Sequence, residues 1–472
     1  MPTNYQDEAR LAYLRGLASE DAADQQWVRT LRDYASGRHP TYLTERQKEY
    51  MGLKIRNTSY LYAHNLCQLV ISAVVERLTV TGFEEVDEAG DFSRLARQWW
   101  EESRMDAQQD DLYEAACRDG AAYLIVDWGG ENPRWTVNYQ FDGTQGVKVH
   151  RNPDTGEVIF ASKRWQTYDP MRPGATGRTR MTLYYADRVE KFVSSSAADA
   201  AFAQAGWDRI ADRDGEPWPI PWVDGYGAPL GPAVIPFVNP GGSEIADLIS
   251  VQDMLNKSDL DLMAGADASG FRILWASGLQ ATIDPDTGEE QALTVGPGRM
   301  IRMSAPESRL GAIEPVDLGK MIAASKYWIE SLAGISRTPH FLFQAQGADQ
   351  PSGESLRMQE MGLLAKVKRR QHVFGNAWED ALYLSLRLWN LFQPGEEVAP
   401  TRVQTLWQDA QTHDEKAHLE SLLLKQQLGV SQEQVLREAG YSDEEIERMV
   451  VEKETHSEQL GEQLLSAFDR GA

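Results

Sequence analysis

Cysteine is almost missing: Cys67 and Cys117 are the only two in 472 residues. That excludes a disulfide framework and a zinc site built on thiolates. No apolar run approaches the ~20 residues that a membrane-spanning helix needs. The opening MPTNYQDEARLAYL has neither the basic stretch nor the apolar core of a secretory signal, so an intracellular, soluble protein is expected. The phosphate loop GxxxxGKS/T, the HExxH zinc signature and the GxSxG nucleophile elbow are all absent, which removes the common ATPase, metalloprotease and serine-hydrolase routes. Histidines 39, 64, 150, 340, 372, 413, 418 and 456 fall at no ligand spacing. His413 and His418, five apart in an acidic tail, read as scattered residues rather than a metal pair.

Positive charge is also scarce, with 47 Lys and Arg against 71 Asp and Glu and a net charge of −24. Phosphate binding needs positive faces, so this is not a protein whose whole surface clamps nucleic acid. A sleeve through which DNA slides without sticking stays open. The 42% hydrophobic content is enough for packed cores, and the length suggests about three domains.

One long stretch lacks proline altogether. Between Pro351 and Pro394, apolar residues fall at 356, 363, 367, 374, 378, 381, 382 and 388. Steps of three, four and seven place them on one stripe of a helix. Ser352 is positioned to cap its start, and the rod is about 60 Å long at 1.5 Å per residue. Gly362 and Gly375 each cost such a helix about 1 kcal/mol relative to alanine, so each marks either a kink or a close contact with another element. Lys366, Lys368, Arg369 and Arg370 lie mid-rod. They read as a solvated face or as partners for a neighbouring chain's carboxylates, ahead of a nucleic-acid contact.

The rest of the chain is arranged before and after this rod. Residues 5–60 read as amphipathic helix, with Tyr13, Leu14, Leu17, Trp27 and Leu31 as buried candidates and a break at Gly37–Pro40. A second helix is expected over 62–77, followed by an extended LTVTGFE, and a third over 92–118, stopped by Gly120. AAYLIVDW is a buried strand, and β signals continue to about Val193, including strands over 146–151 and 157–165 joined by the turn NPDTG. A similar DPDTG recurs at 284–288. Residues 215–242 are rich in proline, glycine and aromatics and form a packed connector holding the strand AVIPFV.

Ser243–Ala268 is expected as a helix with Leu248, Val251, Leu255 and Leu262 buried. It is acidic through Glu244, Asp247, Asp253, Asp259, Asp261 and Asp267. A small β-rich module follows over 271–312, then a helix over 317–335 and the loop SRTPHFLFQAQGADQP. From about Thr401 the tail reads as helical and acidic, with capping boxes at Ser431/Gln434 and Ser442/Glu445. The many Asp and Glu side chains and 14 tryptophans allow a carboxylate-dependent carbohydrate hydrolase as an alternative, but the tryptophans follow core stripes and no catalytic site is apparent.

The collinear order of NLCQLVISAVVERLTVTGF, LYEAACRDGAAYLIVDW, VIPFVNPGGSEIADLISVQDMLNKSDLDL, GISRTPHFLFQAQGADQPSGESLRMQEMGLLAKVKRRQHVFGNAWEDAL and TLWQDAQTHDEKAHLESLLLKQQLGVSQEQVLREAGYSDEEI resembles the portal proteins of tailed, siphophage-type bacteriophages. Each segment is weakly specific, and together they span nearly the whole chain. The resemblance implies an α+β, mainly α fold and a structural, non-enzymatic subunit without a cofactor. It also implies a ring, usually of twelve subunits, at one capsid vertex. Through this head-to-tail connector double-stranded DNA is packaged by the terminase large subunit and later ejected. The other partners implied are the head–tail adaptor and the major capsid and scaffolding proteins, with no membrane. The location implied is the virion, and the host cytoplasm during assembly.

By the same resemblance, 1–242 would be the wing, 243–270 and 317–337 the two stem helices, and 271–316 the clip. Residues 338–351 would be the tunnel loop, 352–393 the long wing helix and 394–472 the crown. Gln344, Gln346, Gly347, Asp349 and Gln350 would then face the channel at the loop, and the six stem acids would line a negative bore. Arg272, Arg299 and Arg302 would dock partners at the clip, or else make salt bridges within the ring. Another phage head component, such as a minor capsid or adaptor protein, is a second alternative; the stem–clip–stem order speaks against it, since adaptors are much shorter.

Overall fold

The computed structural model describes residues 22–40, 63–86, 90–167, 177–194, 207–211, 215, 217–270, 274–277, 282–283, 290–291, 309–312, 317–343, 353–411, 422–439, 441, 445–446 and 448–449. They fall in two compact units. The first comprises residues 1–37, 65–249 and 333–472, and the second residues 38–64 and 250–332.

The first unit is built on a long helix. In chain order its elements are α1 (Ala22–Ala35), α2 (Cys67–Val75), β1 (Val80–Glu85), α3 (Asp91–Glu102), α4 (Met105–Asp119), β2 (Ala121–Trp128), β3 (Pro133–Tyr139), β4 (Gly146–Arg151), β5 (Val158–Gln166), β6 (Thr179–Tyr185), β7 (Arg188–Ser194), β8 (Trp207–Arg209), β9 (Ile220–Pro221) and β10 (Val234–Val238). After the second unit the chain returns as α7 (Gly353–Phe392), β15 (Val403–Trp407) and the short α8 (Gln432–Glu438).

The 40-residue α7 buries seven of its eight expected apolar positions, from Leu363 to Leu388, leaving Leu356 half-buried. Aromatic side chains fill the space around it. Trp378 meets Trp100, Trp135 and Phe237, and Phe374 stacks on Tyr113 at 5.5 Å. The polar ends of these rings are satisfied inside the core. Trp378 Nε1 donates to Tyr113 Oη (2.8 Å), Trp135 Nε1 to Ser385 Oγ (2.8 Å) and Trp389 Nε1 to the Glu396 carbonyl (2.9 Å). Tryptophans committed in this way are packing elements and offer no sugar platform.

Three antiparallel sheets flank this core: β1–β15, β10–β2–β3, and β4–β5–β6–β7–β8 with β9 beside β7. The NPDTG turn joins β4 to β5 as expected, with Gly156 at φ +75°. Of the two glycines in α7, both serve close contact. A Cβ on Gly375 would lie 3.4 Å from Trp407 Nε1, and one on Gly362 3.5 Å from Arg337 Cβ.

Several expectations change. The helix expected over 92–118 is two helices, because Arg104 takes a left-handed conformation (φ 53°) between α3 and α4. The second helix starts at Cys67, where the Asn65 side chain accepts from the Cys67 N–H. Trp27 is 46% exposed instead of buried. The segment after Thr401 begins with a strand and not a helix, since Val403–Trp407 pairs with the extended Val80–Glu85. Beyond it, Ser431 Oγ does accept from Gln434 N, as its capping box requires.

The second unit holds all but the first residue of α5 (Ile249–Gly270), β11 (Leu274–Ser277), β12 (Thr282–Ile283), β13 (Glu290–Gln291), β14 (Arg309–Ala312) and α6 (Leu318–Ser336) up to Leu332. β11 pairs with β14 and β12 with β13, both antiparallel. The two helices also run antiparallel. Trp328 Nε1 donates to Ser258 Oγ (3.1 Å), while nearer the other ends Gly265 lies against Leu318 and Met321.

Candidate functional site

No group of His, Cys, Asp and Glu among the described residues could hold a metal ion, and none of the described helices is long and apolar enough to cross a membrane. Both cysteines are free and buried, and burial pushes the Cys117 thiol up to about 12. What the fold does build is two charged polar clusters, one in each unit.

The first corrects an expectation. Glu244 does not belong to an acidic stem surface: its side chain is only 4% exposed and lies against α7. There it pairs with Lys366 (2.5 Å) and Arg370 and accepts from Asn239 Nδ2 (3.0 Å). Lys366 also donates to the Ser336 carbonyl at 2.8 Å. Burial alone would raise the Glu244 pKa; the two adjacent cations and the hydrogen bonds outweigh it and hold the carboxyl below its usual value. The basic run of α7 is thereby divided. Lys366 and Arg370 are turned inward to their own chain, at helical spacing of four, whereas Lys368 and Arg369 are exposed.

The second cluster ties His39 and His64 to α5. Asn256 Oδ1 accepts from the His64 N–H (3.0 Å), and its Nδ2 lies 2.9 Å from His39 Nδ1. Gln252 donates to the His64 carbonyl at 2.6 Å. His64 Nδ1 is 3.0 Å from one Asp259 oxygen, and Ser325 of α6 donates to the other at 2.7 Å. The hydrogen bond to Asp259 raises the His64 pKa against the opposing effect of burial. Burial pushes Asp259 up, but His64 and Ser325 together bring it below its usual value. The serine bonds to the carboxylate and not to the imidazole, so the trio is no nucleophilic triad. This network also explains why Gln252 and Asn256 are buried while Val251 and Leu262 are only half-buried.

The remaining acids expected along this helix separate. Asp247 is exposed, Asp253 is half-buried and Asp261 pairs with Lys257 one turn earlier. Asp267 sits in α5, and nothing is described of its side chain. The loop residues Gln344, Gln346, Gly347, Asp349 and Gln350 lie outside the described residues, as do Arg272, Arg299 and Arg302. Sequence reasoning missed the Glu244 seat and the His64–Asp259 link; the one available signal was a Lys and an Arg four apart on the apolar side of the rod.

Comparison with known proteins agrees with this non-catalytic reading. The portal protein of Mycobacterium phage D29 is 24% identical over 430 residues, covering 86% of this chain and 82% of the relative. The portal protein of Mycobacterium phage L5 matches with the same identity and coverage. The family described as phage portal protein, SPP1 Gp6-like, matches residues 56–459, so the chain belongs to that family.

Proposed function

We propose that this chain is the wedge from which a phage capsid builds its DNA conduit, many copies closing around an axis at one vertex. Membership of the portal family across residues 56–459 is the observation that carries the reading. The chain is a structural protein and not an enzyme, as its family is. Twelve copies, packaging by a terminase large subunit, later docking of a head–tail adaptor, contact with capsid and scaffolding proteins and passage of duplex DNA are the finer parts of the proposal.

The parts are assigned as follows. The antiparallel α5 and α6 would be the stem, with the short strands between them the clip. α7 would be the long wing helix, 338–351 the tunnel loop and 394–472 the crown. Exposed apolar side chains on α6 are compatible with assembly: Ile322 and Tyr327 are 44% and 59% exposed, with the exposed Lys326 and Glu330 between them around the helix. With Glu244 buried, Asp259 tied to His64 and Asp261 paired with Lys257, a negative bore would draw first on Asp247, with Asp253 and Asp267 as its other expected acids. Such a bore repels phosphates and so avoids tight contacts that would brake DNA. Lys368 and Arg369 would meet a neighbour's carboxylates, and the clip arginines an acidic partner surface.

Negative-stain micrographs with native mass measurement test the reading. Annular particles with a central opening are expected. Compact particles without an opening under every condition tried would overturn it. Deleting Gln346–Asp349 tests the loop: unchanged DNA packaging and retention would remove it from the channel.

A further inference from the structure

α7 carries a second stripe besides the one it buries. Met358, Met361, Ala365, Lys368 and His372 follow one another at steps of three, four, three and four, the spacing of a helix–helix seam, and all five are exposed. Met358 and Met361 are 69% and 65% exposed, more than any other large apolar side chain of the helix. Unbranched methionines adapt readily to a partner surface. Arg357 and Arg369 flank the stripe and are exposed as well.

The charge of this face is one-sided. Between Ser355 and Trp378 the helix has a single acid, Glu360, which is buried beside Arg77 at 3.2 Å. Lys366 and Arg370 turn inward to Glu244. Arg357, Lys368 and Arg369 make no ion pair among the described residues. Three cations therefore stand unanswered on a chain of net −24.

The exposed side of α4 has the opposite character. Asp106, Asp110 and Glu114 recur every four residues with Asp111 beside them; the three aspartates are exposed and Glu114 is half-buried. Of the four, only Glu114 has a cation partner among the described residues, Arg118 at 3.7 Å. Like charges four apart on a helix destabilise it until something positive answers them. Partial burial and the neighbouring Asp111 charge push the Asp110 carboxyl up. The small Ala107 is exposed on the same side and leaves room for a larger side chain.

Within one chain the two helices meet through their buried sides, where Tyr113 stacks on Phe374 at 5.5 Å. Phe374 lies nine residues beyond Ala365, two and a half turns on, and so on the opposite side of α7 from the stripe. The stripe and the acids are thus two separate surfaces of the first unit.

We infer that the Met358–His372 stripe of one chain packs along the acidic side of α4 in a second copy, with Lys368 and Arg369 set against Asp110 and Asp111. At 1.5 Å per residue the stripe spans about 21 Å and the acids about 12 Å, so the shorter fits within the longer. Two different surfaces of one molecule make a head-to-tail contact, the kind that closes into rings. Copies bearing −24 each repel at long range, and a local match of opposite charge gives their encounter orientation and register. Duplex DNA would answer the same cations but leave the methionines bare. The inference rests on the reading of the chain as a self-assembling subunit, and deepens it by naming both sides of one interface.

Charge exchange tests it. Variant one carries Lys368→Glu with Arg369→Glu; variant two carries Asp110→Lys with Asp111→Lys. Each alone should raise the concentration for half-assembly by about tenfold or more, read by mass photometry. Mixing the two, or joining all four changes in one chain, should restore assembly, which a misfolded variant cannot do. Assembly of both variants at the wild-type concentration, or failure of both restorations, overturns the inference and leaves the ring reading standing. A wild type that stays monomeric at every concentration overturns the ring reading and this inference with it. If variant one loses binding to duplex DNA while assembling normally, the stripe serves nucleic acid and the inference fails.

Discussion

Replacing Glu244 by glutamine probes the strongest electrostatic commitment in the first unit. The change keeps the shape and removes the charge that Lys366 and Arg370 face. Their side chains are 13% and 5% exposed, so neither recovers full hydration. Removing one partner from a buried pair typically costs about 3–5 kcal/mol, most of it from the charge left behind. Lys366 keeps its bond to the Ser336 carbonyl and some water, and Arg370 keeps its bond to the Lys366 carbonyl at 2.7 Å. A loss near the lower end, about 3 kcal/mol, is therefore expected.

Chemical denaturation followed by tryptophan fluorescence reads the loss, since Trp378 and Trp389 sit on the same helix. The sign of the pH dependence is an independent check. Glu244 titrates below its ordinary 4.5 in the folded chain, so its contribution is present above that value and is lost as pH falls through the folded pKa. The gap between wild type and E244Q should close on acidification. Combining Glu244→Leu with Lys366→Met and Arg370→Met should recover most of the loss, because apolar replacement of a whole buried cluster is often neutral or better. A deficit for E244Q below about 1 kcal/mol, the range of an exposed pair, would refute the argument.

Two further outcomes follow from the contacts. The His64–Asp259 link has the folded His64 pKa above the ordinary 6.5, so its stabilisation is complete below that value and disappears as pH rises through the raised pKa; amide exchange in 250–266, corrected for its intrinsic base catalysis, should quicken as pH rises above 6.5, and an equal change in Asp259→Asn would reject the link as the cause. At Gly375 the available space accepts one methyl group but no more, since an added Cβ would stand 3.6 Å from Thr405 Cβ and 3.4 Å from Trp407 Nε1. Gly375→Ala should be neutral or stabilising by up to ~1 kcal/mol through helix propensity, whereas Gly375→Leu should lose about 1–3 kcal/mol by forcing β15 from the helix; equal thermal midpoints for the two would contradict this.

The long helix was legible because its apolar positions repeat over about nine turns and no proline intervenes; a pattern that long leaves no competing period. The five-residue strand Val403–Trp407 was not, since its alternation of Val403, Thr405 and Trp407 is brief and sits at the head of an acidic, helix-rich tail. Its pairing partner, Val80–Glu85, is more than 300 residues away in sequence. The break at Arg104 carries no glycine or proline, so only the packing of α3 and α4 reveals it.

Charge was the least legible quantity of all. Composition gives the number and sign of the ionisable groups, and helical spacing gives their side of a rod, but neither gives the partner. Glu244 and Arg370 lie 126 residues apart, and only the fold makes one the counter-ion of the other. An acidic helix therefore cannot be treated as a uniformly negative surface. One of its expected carboxylates is core, one is shared between a histidine and a serine, and one is answered by a lysine a turn away. In the proposed DNA channel the field must come from acids that stay hydrated after these internal commitments, which is why substituting the exposed Asp247 should alter DNA passage more than substituting Glu244, whose loss should register as instability.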